Sequence, residues 1–473
     1  MNTAAWLPGL IASALLAAAA TPATHQQTGD VALCHISSVG ARILNVAAPA
    51  LGAHLEHGDY VTTLHVATAP GGAGDGVYFE RIGSALAAAR AGRLARGETV
   101  SAACRITIEV PAGEYLGTAG APASGRIEHF PLVVDVPDIT LRGALKMEID
   151  GSGRATGTGI GPGETTLAPL DPLPIVAEVS TPLVLVNGHT GGSAGNGFVL
   201  EGLVLRSGHD PAVDAGGQGL LALRVTGIEV RGNRFDAGFT ESIDLRSASG
   251  DVMQNYLSGT AGTCDICLAG PGNYRAVGNR LLAGGIPGIT VDGVVGLPVP
   301  SGIEPLAIPD AAETVAEIVN NEVRDHRRTP VGVGIRIDAL GVGAPNVRNK
   351  VVATVRDNVL INNRFGMIIH AAFPVRDTAL KGDVEVAMSG NVFDQTCQAR
   401  LLVSFSRHTR TLGITANPYL VNSTFRIDLG GNIDWNDVWY GHPDGFGNSL
   451  IVDGQPIPNG TRHFYDAPNC PSR

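Results

Sequence analysis

The sequence is poor in aromatic and charged residues. Phe, Trp and Tyr together make up 5% of its 473 residues, and Asp, Glu, Lys and Arg make up 16%. So few charges leave little to solvate the outer faces of many long helices. Lys and Arg number 33 against 44 Asp and Glu, for a net charge of −11. The basic footprint of a nucleic-acid-binding protein is therefore missing. A polyanionic substrate would also be repelled, except where a local Arg/Lys cluster or a bound cation intervenes. Beyond residue 20 no apolar run reaches membrane-spanning length, so the mature chain is expected to carry no membrane span. What is abundant is glycine, at 63, with 29 prolines and 44% hydrophobic residues. Small aliphatic surface interrupted by frequent turns points to many short strands.

The apolar run Leu7–Ala20 has the length of a signal-peptide core and is followed by small residues at Ala18-Ala19-Ala20 and Thr21-Pro22-Ala23. Residues 1–23 are expected to be a cleaved leader, although Met1–Trp6 carries no Lys or Arg. The destination is then the periplasm or the extracellular medium. The six cysteines (Cys34, Cys104, Cys264, Cys267, Cys397 and Cys470) form an even set, which suits disulfides in an exported chain. Sequence alone leaves their connectivity open. Cys264-Asp-Ile-Cys267 has redox spacing, but in this setting one structural bridge or two separate ones is the expectation.

The chain divides into a small Cys/His module with a linker (24–73), a main domain (74–430) and a C-terminal cap (431–473). Phe79, Ile82, Leu86 and Ala89 stand at helical spacing and predict one amphipathic helix. Cys104–Tyr115 then alternates with Ile106, Ile108 and Val110 on one face, and Phe130–Val136 and Ile139–Leu141 repeat the strand pattern. Residues 143–180 read as a Gly/Pro-rich loop region. Further on, a polar-Asn-x-apolar turn recurs at Asn233, Asn255, Asn279, Asn321, Asn358 and Asn391, separated by 22, 24, 42, 37 and 33 residues. An apolar strand follows each turn: Ile243-Asp-Leu245, Ile266-Cys-Leu268, Ile289-Thr-Val291, Ile335-Arg-Ile337, Met367-Ile-Ile369 and Leu401-Leu-Val403. One strand type repeated at coil length predicts a parallel sheet along a solenoid axis, with the Asn amides forming a ladder inside the turn.

The helix that precedes a strand ending in Pro111-Ala-Gly-Glu-Tyr115, and the Asn repeat after it, resemble pectin-lyase-like proteins over roughly residues 74–430. That resemblance implies an all-β fold: a right-handed parallel β-helix (solenoid) with an N-terminal capping helix and a C-terminal cap. It also implies a sugar cleft on a sheet face between long loops, and fixes no reaction.

If the Ile and Val positions of the stacked strands point inward, three outward columns follow. The first runs Ser242, Asp265, Gly288, Gly334, Gly366, Arg400. The second runs Asp244, Cys267, Thr290, Arg336, Ile368, Leu402. The third runs Arg246, Ala269, Asp292, Asp338, His370, Ser404. Neighbours in a column sit roughly 4.8 Å apart. Asp292, Arg336, Asp338 and His370 therefore converge as candidate catalytic residues. Segments 293–314, 339–350 and 371–383 leave just beyond them and would wall a groove. Asp244, Arg246 and Thr290 extend the same face as candidate substrate contacts, and Arg327 and Arg328 in the basic turn Arg324–Arg328 offer a second anionic-sugar site.

Two reactions use this patch. In uronate β-elimination Arg336 would offset the substrate carboxylate, His370 would take the C5 proton, and the Asp pair would hold Ca²⁺. In hydrolysis Asp292 and Asp338 would be the carboxylate pair, closer to the retaining separation than to the inverting one. The Asn-Thr-Asp, Asp-Asp, Gly-His-Gly and Arg-Ile-Lys motifs of polygalacturonase-like relatives are absent. Gly334-Ile335-Arg336-Ile337-Asp338 only echoes the last, and the usual pectate-lyase signatures are missing too. The reading from sequence is an exported polysaccharide-binding, polysaccharide-cleaving β-helix. A non-catalytic surface, adhesion or scaffold protein is the alternative, because cross-strand Asp/Arg pairs also stabilise any sheet.

Leu33-Cys34-His35 and His54-Leu-Glu-His57-Gly58-Asp59 resemble a Cys-His … His-Leu-x-His-Gly-Asp segment of exported bacterial proteins. His54 and His57 share a helix face. With Cys34, His35 or Asp59 they are ligand types that Zn²⁺ accepts, at a spacing that matches no standard zinc signature. Hydrogen-bonded cap histidines are the favoured reading. Trp435, Trp439 and Tyr440 are expected to plug the last coil.

Overall fold

The computed structural model describes residues 30–463 apart from 38–39, 67–76, 95–103, 120–126, 162, 174, 177–178, 189–194, 210–215, 260–261, 285–286, 294–310, 328–331, 340–347, 371–380, 397, 405, 409–413, 417–421, 435–437, 442–446 and 459–460. The leader, Cys397, Cys470, Arg328 and Trp435 lie outside the described residues, as do most of the three long segments expected to wall a groove.

The chain winds repeatedly through three parallel sheets in one order. Ile228–Arg231 lies in a first sheet of 14 strands, Arg234–Phe235 in a second of 10, and Glu241–Arg246 in a third of 11. The next coil repeats this with Gly250–Met253, Tyr256–Ser258 and Cys264–Ala269. Each strand pairs in parallel with its counterpart one coil away. The fold is a right-handed parallel β-helix. Its interior is a continuous apolar column from Leu33 to Val452.

The repeated turn works for two reasons. The residue before each ladder Asn sits in the left-handed region: Gly232 at φ 62°, Gln254 at 54°, Gly278 at 66°, Asn320 at 56°, Asp357 at 60° and Gly390 at 62°. That conformation suits Gly and short polar residues. The Asn that follows turns inward and is buried. From Asn255 on, each Asn Oδ1 accepts the backbone N–H and the Nδ2–H of the Asn one coil before, as in Asn255 to Asn279 at 2.9 and 3.1 Å, and Asn233 Oδ1 accepts the Leu203 N–H. Each Nδ2 also donates to a first-sheet carbonyl, as from Asn279 to Val252 at 2.8 Å. The ladder runs unbroken from Asn233 through Asn391 and continues to Asn432, one member further than the sequence repeat suggests.

Several expectations need correction. The helix α2 spans Ile82–Leu94, and Phe79 belongs instead to a short strand, Tyr78–Phe79. Residues 143–180 are not a plain loop. Thr165–Pro169 is a second-sheet strand, and Met147–Ile149 with Ala155–Gly159 forms a hairpin that lies across the Asn turns. There Arg154 donates to the Asn320 carbonyl at 3.0 Å and Arg280 to Asp150 at 2.8 Å. The solenoid also exceeds its expected limits. Thr63–Val66 already pairs with Ile106–Glu109 in the first sheet. Val438–Gly441 and Ser449–Val452 extend the third and first sheets in parallel, and antiparallel closure comes only with Gln455–Ile457 and Arg462–His463. Tyr440 joins the core.

Two disulfides lie among the described residues, Cys34–Cys104 and Cys264–Cys267. The first ties the N-terminal module to the start of the solenoid. The second closes within one third-sheet strand. Among the described residues no helix is long and apolar enough to cross a membrane.

Candidate active site on the third sheet

The third-sheet strands have the expected phase. Ile243, Leu245, Ile266, Leu268, Ile289, Val291, Ile335, Ile337, Met367, Ile369, Leu401 and Val403 all belong to the interior core. Parallel register aligns Asp244, Cys267, Thr290, Arg336, Ile368 and Leu402 in one outward column. It aligns Arg246, Ala269, Asp292, Asp338, His370 and Ser404 in the next.

From Ser242 to Gly366 the first column does not face outward, and only Arg400 at its end is exposed. A Cβ added to Gly288 would lie 2.4 Å from Val323 Cγ1, and one on Gly366 would lie 2.4 Å from Phe393 Cδ1, so these positions aim at residues of the second sheet. Two consecutive residues of these strands thus turn inward at the corner, which breaks the simple alternation. Asp265 of that column is fully buried and meets His326, also fully buried, at 3.4 Å.

The other two columns are outward but covered. Thr290 and Asp338 have no exposed surface, and Asp244, Arg246 and His370 are buried as well. Ile368 and Leu402 pack with Val333, Phe365 and Ala399 in a cluster separate from the main core. Asp292 and Arg336 keep 13% and 14% side-chain exposure and are the most accessible of the four candidate catalytic residues.

The four meet as two pairs on consecutive strands. Arg336 Nη2 donates to both Asp292 oxygens at 3.2 and 3.3 Å. His370 Nε2 stands 3.5 Å from Asp338 Oδ2. Burial raises the Asp292 carboxyl above the usual carboxylate range, against the opposing pull of Arg336. Two coils away Arg246 grips Asp244, with Nε at 2.8 Å and a second contact from Nη2.

Sequence reading missed the group that completes this network. Gln218 Nε2 donates to Asp244 at 3.0 Å and to Glu241 at 3.2 Å, and the Thr263 hydroxyl donates to Glu241. Burial, then the charge of Asp244, pushes the Glu241 carboxyl up to about 7. The available signal was the polar pair Gln218 and Glu241, each two positions before the first apolar residue of its strand and in register with the other.

Ca²⁺ does not suit the Asp292–Asp338 pair. It needs six or more oxygen ligands, whereas here a guanidinium already faces both Asp292 oxygens and an imidazole faces Asp338. Arg327 lies apart from the patch, its guanidinium on the Asn362 and Gln395 carbonyls at 2.7 and 3.0 Å.

At the N-terminal module, Cys34 is bonded to Cys104, which removes it from the candidate metal ligands because a disulfide offers no thiolate. His57 is exposed at the end of the helix α1 (Leu51–Glu56), outside the group that does form. That group is His35, His54 and Asp59, whose ligand atoms all lie within 4.8 Å of one another.

No family model matches the chain, and no curated protein does. Among solved structures it is similar to the A-module of a mannuronan C-5 epimerase from Azotobacter vinelandii, at 16% identity and TM-score 0.33, covering 79% of this chain and 87% of that one. It is similar also to a tailspike protein of an E. coli bacteriophage in complex with a pentasaccharide, at 11% identity and TM-score 0.31, covering 91% and 84%. A third is the catalytic domain of an α-1,3-glucanase in complex with tetrasaccharides, at 9% identity and TM-score 0.30, covering 77% and 64%.

Proposed function

We propose that this chain is an exported protein that binds an acidic polysaccharide along the outer face of the third sheet and cleaves it by β-elimination. The observation that carries the reading is the pairing of a cation with an acid on each of two neighbouring positions, Arg336 with Asp292 and His370 with Asp338. Arg336 would turn its charge from Asp292 to the substrate carboxylate, which acidifies the C5 proton and leaves Asp292 to carry a proton. An Nε2 proton directed to Asp338 would leave His370 Nδ1 to accept that proton. The electron pair then forms the C4–C5 double bond, the glycosidic C4–O bond breaks, and the leaving oxygen takes a proton from Asp292, whose raised carboxyl suits an acid. Asp244, Arg246 and Thr290, buried in this structure, would meet the sugars only if the cover over their columns opened. No step is routed through Ca²⁺.

The near-complete burial of Asp338, Thr290 and the Asp244–Arg246 pair favours a second reading. In it the network is structural, and the chain is a non-catalytic surface or scaffold protein that binds glycans without cleaving them.

A panel of polyuronates and neutral glucans, with and without Ca²⁺, separates the two. Wild-type protein should raise absorbance at the unsaturated-uronate band on at least one polyuronate. His370→Ala and Asp338→Asn should each lose roughly 10²–10⁴-fold in rate with unchanged circular dichroism. Unchanged activity in both variants would remove the catalytic assignment. Silence across the panel with retained glycan binding would establish the second reading.

A further inference from the structure

We infer that His35, His54 and Asp59 form a divalent-metal site of zinc type in the N-terminal module, separate from the third-sheet patch and independent of its chemistry. The three residues come from three backbone pieces. His35 lies on the strand Asp30–Ser37, His54 on α1, and Asp59 on the turn that follows α1. Gly58 adopts φ +84°, in the left-handed region, and the chain doubles back so that the Asp59 N–H donates to the His54 carbonyl at 3.1 Å. The next residue, Tyr60, pairs with Cys34 across the sheet, which brings Asp59 beside His35. Together these contacts fix the carboxylate between the two imidazoles.

The ligand atoms converge on one point of the module. The Nδ1 atoms of His35 and His54 approach the same oxygen, Asp59 Oδ2, at 3.0 and 2.8 Å. The rings stand edge to face, 6.4 Å apart with planes at 87°, so their nitrogens converge from different directions without stacking. The carboxylate is 3% exposed and each imidazole 29%, which leaves the open side of the triangle toward solvent. Zn–N and Zn–O bonds of about 2.0–2.1 Å give a tetrahedral edge of roughly 3.3 Å. The two nitrogen-to-oxygen separations need to widen by only a few tenths of an ångström. Two neutral imidazoles and one carboxylate are a borderline-soft set that suits Zn²⁺ over Ca²⁺ or Mg²⁺, with water completing the shell.

The position gives the ion a structural effect. The same module is tied to the solenoid by Cys34–Cys104 and by the Tyr60 hydroxyl donating to the Cys104 carbonyl at 3.1 Å. An ion bridging α1, the strand and the turn would fasten the third corner of this end-piece.

The full chain, stripped with EDTA, is titrated with Zn²⁺ alone by calorimetry and with Co²⁺ by visible absorption. One equivalent should bind with micromolar affinity or tighter, with Co²⁺ bands of a tetrahedral site and slower amide exchange over 30–66. The His35→Ala/His54→Ala double variant should weaken binding by on the order of 100-fold or more, and Asp59→Asn should weaken it in the same direction. His57→Ala should bind as wild type, which also controls for adventitious surface histidines. Absence of stoichiometric uptake by folded wild-type protein, or unchanged uptake in the double variant, would overturn the assignment.

Discussion

At the residue scale, the fold is held by groups whose hydrogen bonds have no alternative partners in a dry interior. Asn279 is the clearest case. Its Oδ1 takes two N–H groups from Asn255, and its Nδ2 donates to Val252 and to Asn321 at 2.8 and 2.9 Å. Asn279→Ala orphans several buried polar atoms at once, each of which costs about 1–3 kcal/mol. We expect a loss of roughly 3–5 kcal/mol in urea denaturation, and a loss under about 1 kcal/mol would contradict the ladder's role. Glu241 gives a pH signature. Its carboxyl is pushed from 4.5 to about 7 by burial and by Asp244, so the folded state holds its proton more tightly than the unfolded one. The resulting stability is present below pH 4.5 and is lost as pH rises toward about 7, a change on the order of 3 kcal/mol. In Glu241→Gln that decline should flatten, and an identical pH–stability curve would remove Glu241 as its cause. The Asn ladder was legible in the sequence because it repeats. The Glu241 shift was not, because it depends on Asp244, Gln218 and Thr263 meeting from three different coils.

At the scale of elements, strand phase was readable wherever apolar residues alternate, and failed at one corner. In the strand Pro287–Asp292, Ile289 and Val291 announce the interior, but Gly288 also turns inward, and a residue with no side chain carries no hydropathy signal. The hairpin 147–159 was hidden for a related reason. Gly153 holds positive φ in its turn and Gly157 holds positive φ within its second strand, yet their abundance reads as loop composition. The start of α2 depended on a distant acid. Glu128, 46 residues away, accepts the Ile82 N–H at 2.6 Å and the Gly83 N–H at 3.0 Å, and so caps a helix whose apolar spacing alone suggested Phe79. The Cys34–Cys104 bridge closes a loop of 70 residues around this end. Removing it as Cys34→Ala/Cys104→Ala should lower stability by about 4 kcal/mol in the chain-entropy picture. The loss should appear as faster amide exchange in 30–66 and α2, with the central coils little changed. Uniform acceleration along the chain would show that the end-piece and solenoid open as one unit.

Across the whole molecule, charge is arranged differently on two faces. On the first sheet, cross-strand ion pairs run in register and in partial exposure, Glu109 to Arg142 to Glu201 to Arg231 and Asp251 to Arg275 to Glu317, with Arg356 reaching Glu317 diagonally. Such exposed pairs contribute little each and suit a solvated sheet. On the third sheet the charges are few and buried, and they bring Arg, Asp and His together around Asp292 and Asp338. Desolvated acid–base pairs are costly to keep for stability alone, which is why the chemistry is proposed for this face. Two surface depressions compete with it. One of about 490 Å³ lies between α2 and residues 128–135, and one of about 380 Å³ lies over Glu385, Arg426 and Asp428 on the first sheet. A crystal structure of His370→Ala soaked with an oligouronate distinguishes the three places. The account predicts sugar density along the third sheet, with a carboxylate at Arg336 and a glycosidic oxygen near Asp292. Ordered sugar in either depression, with the third sheet bare, would contradict it.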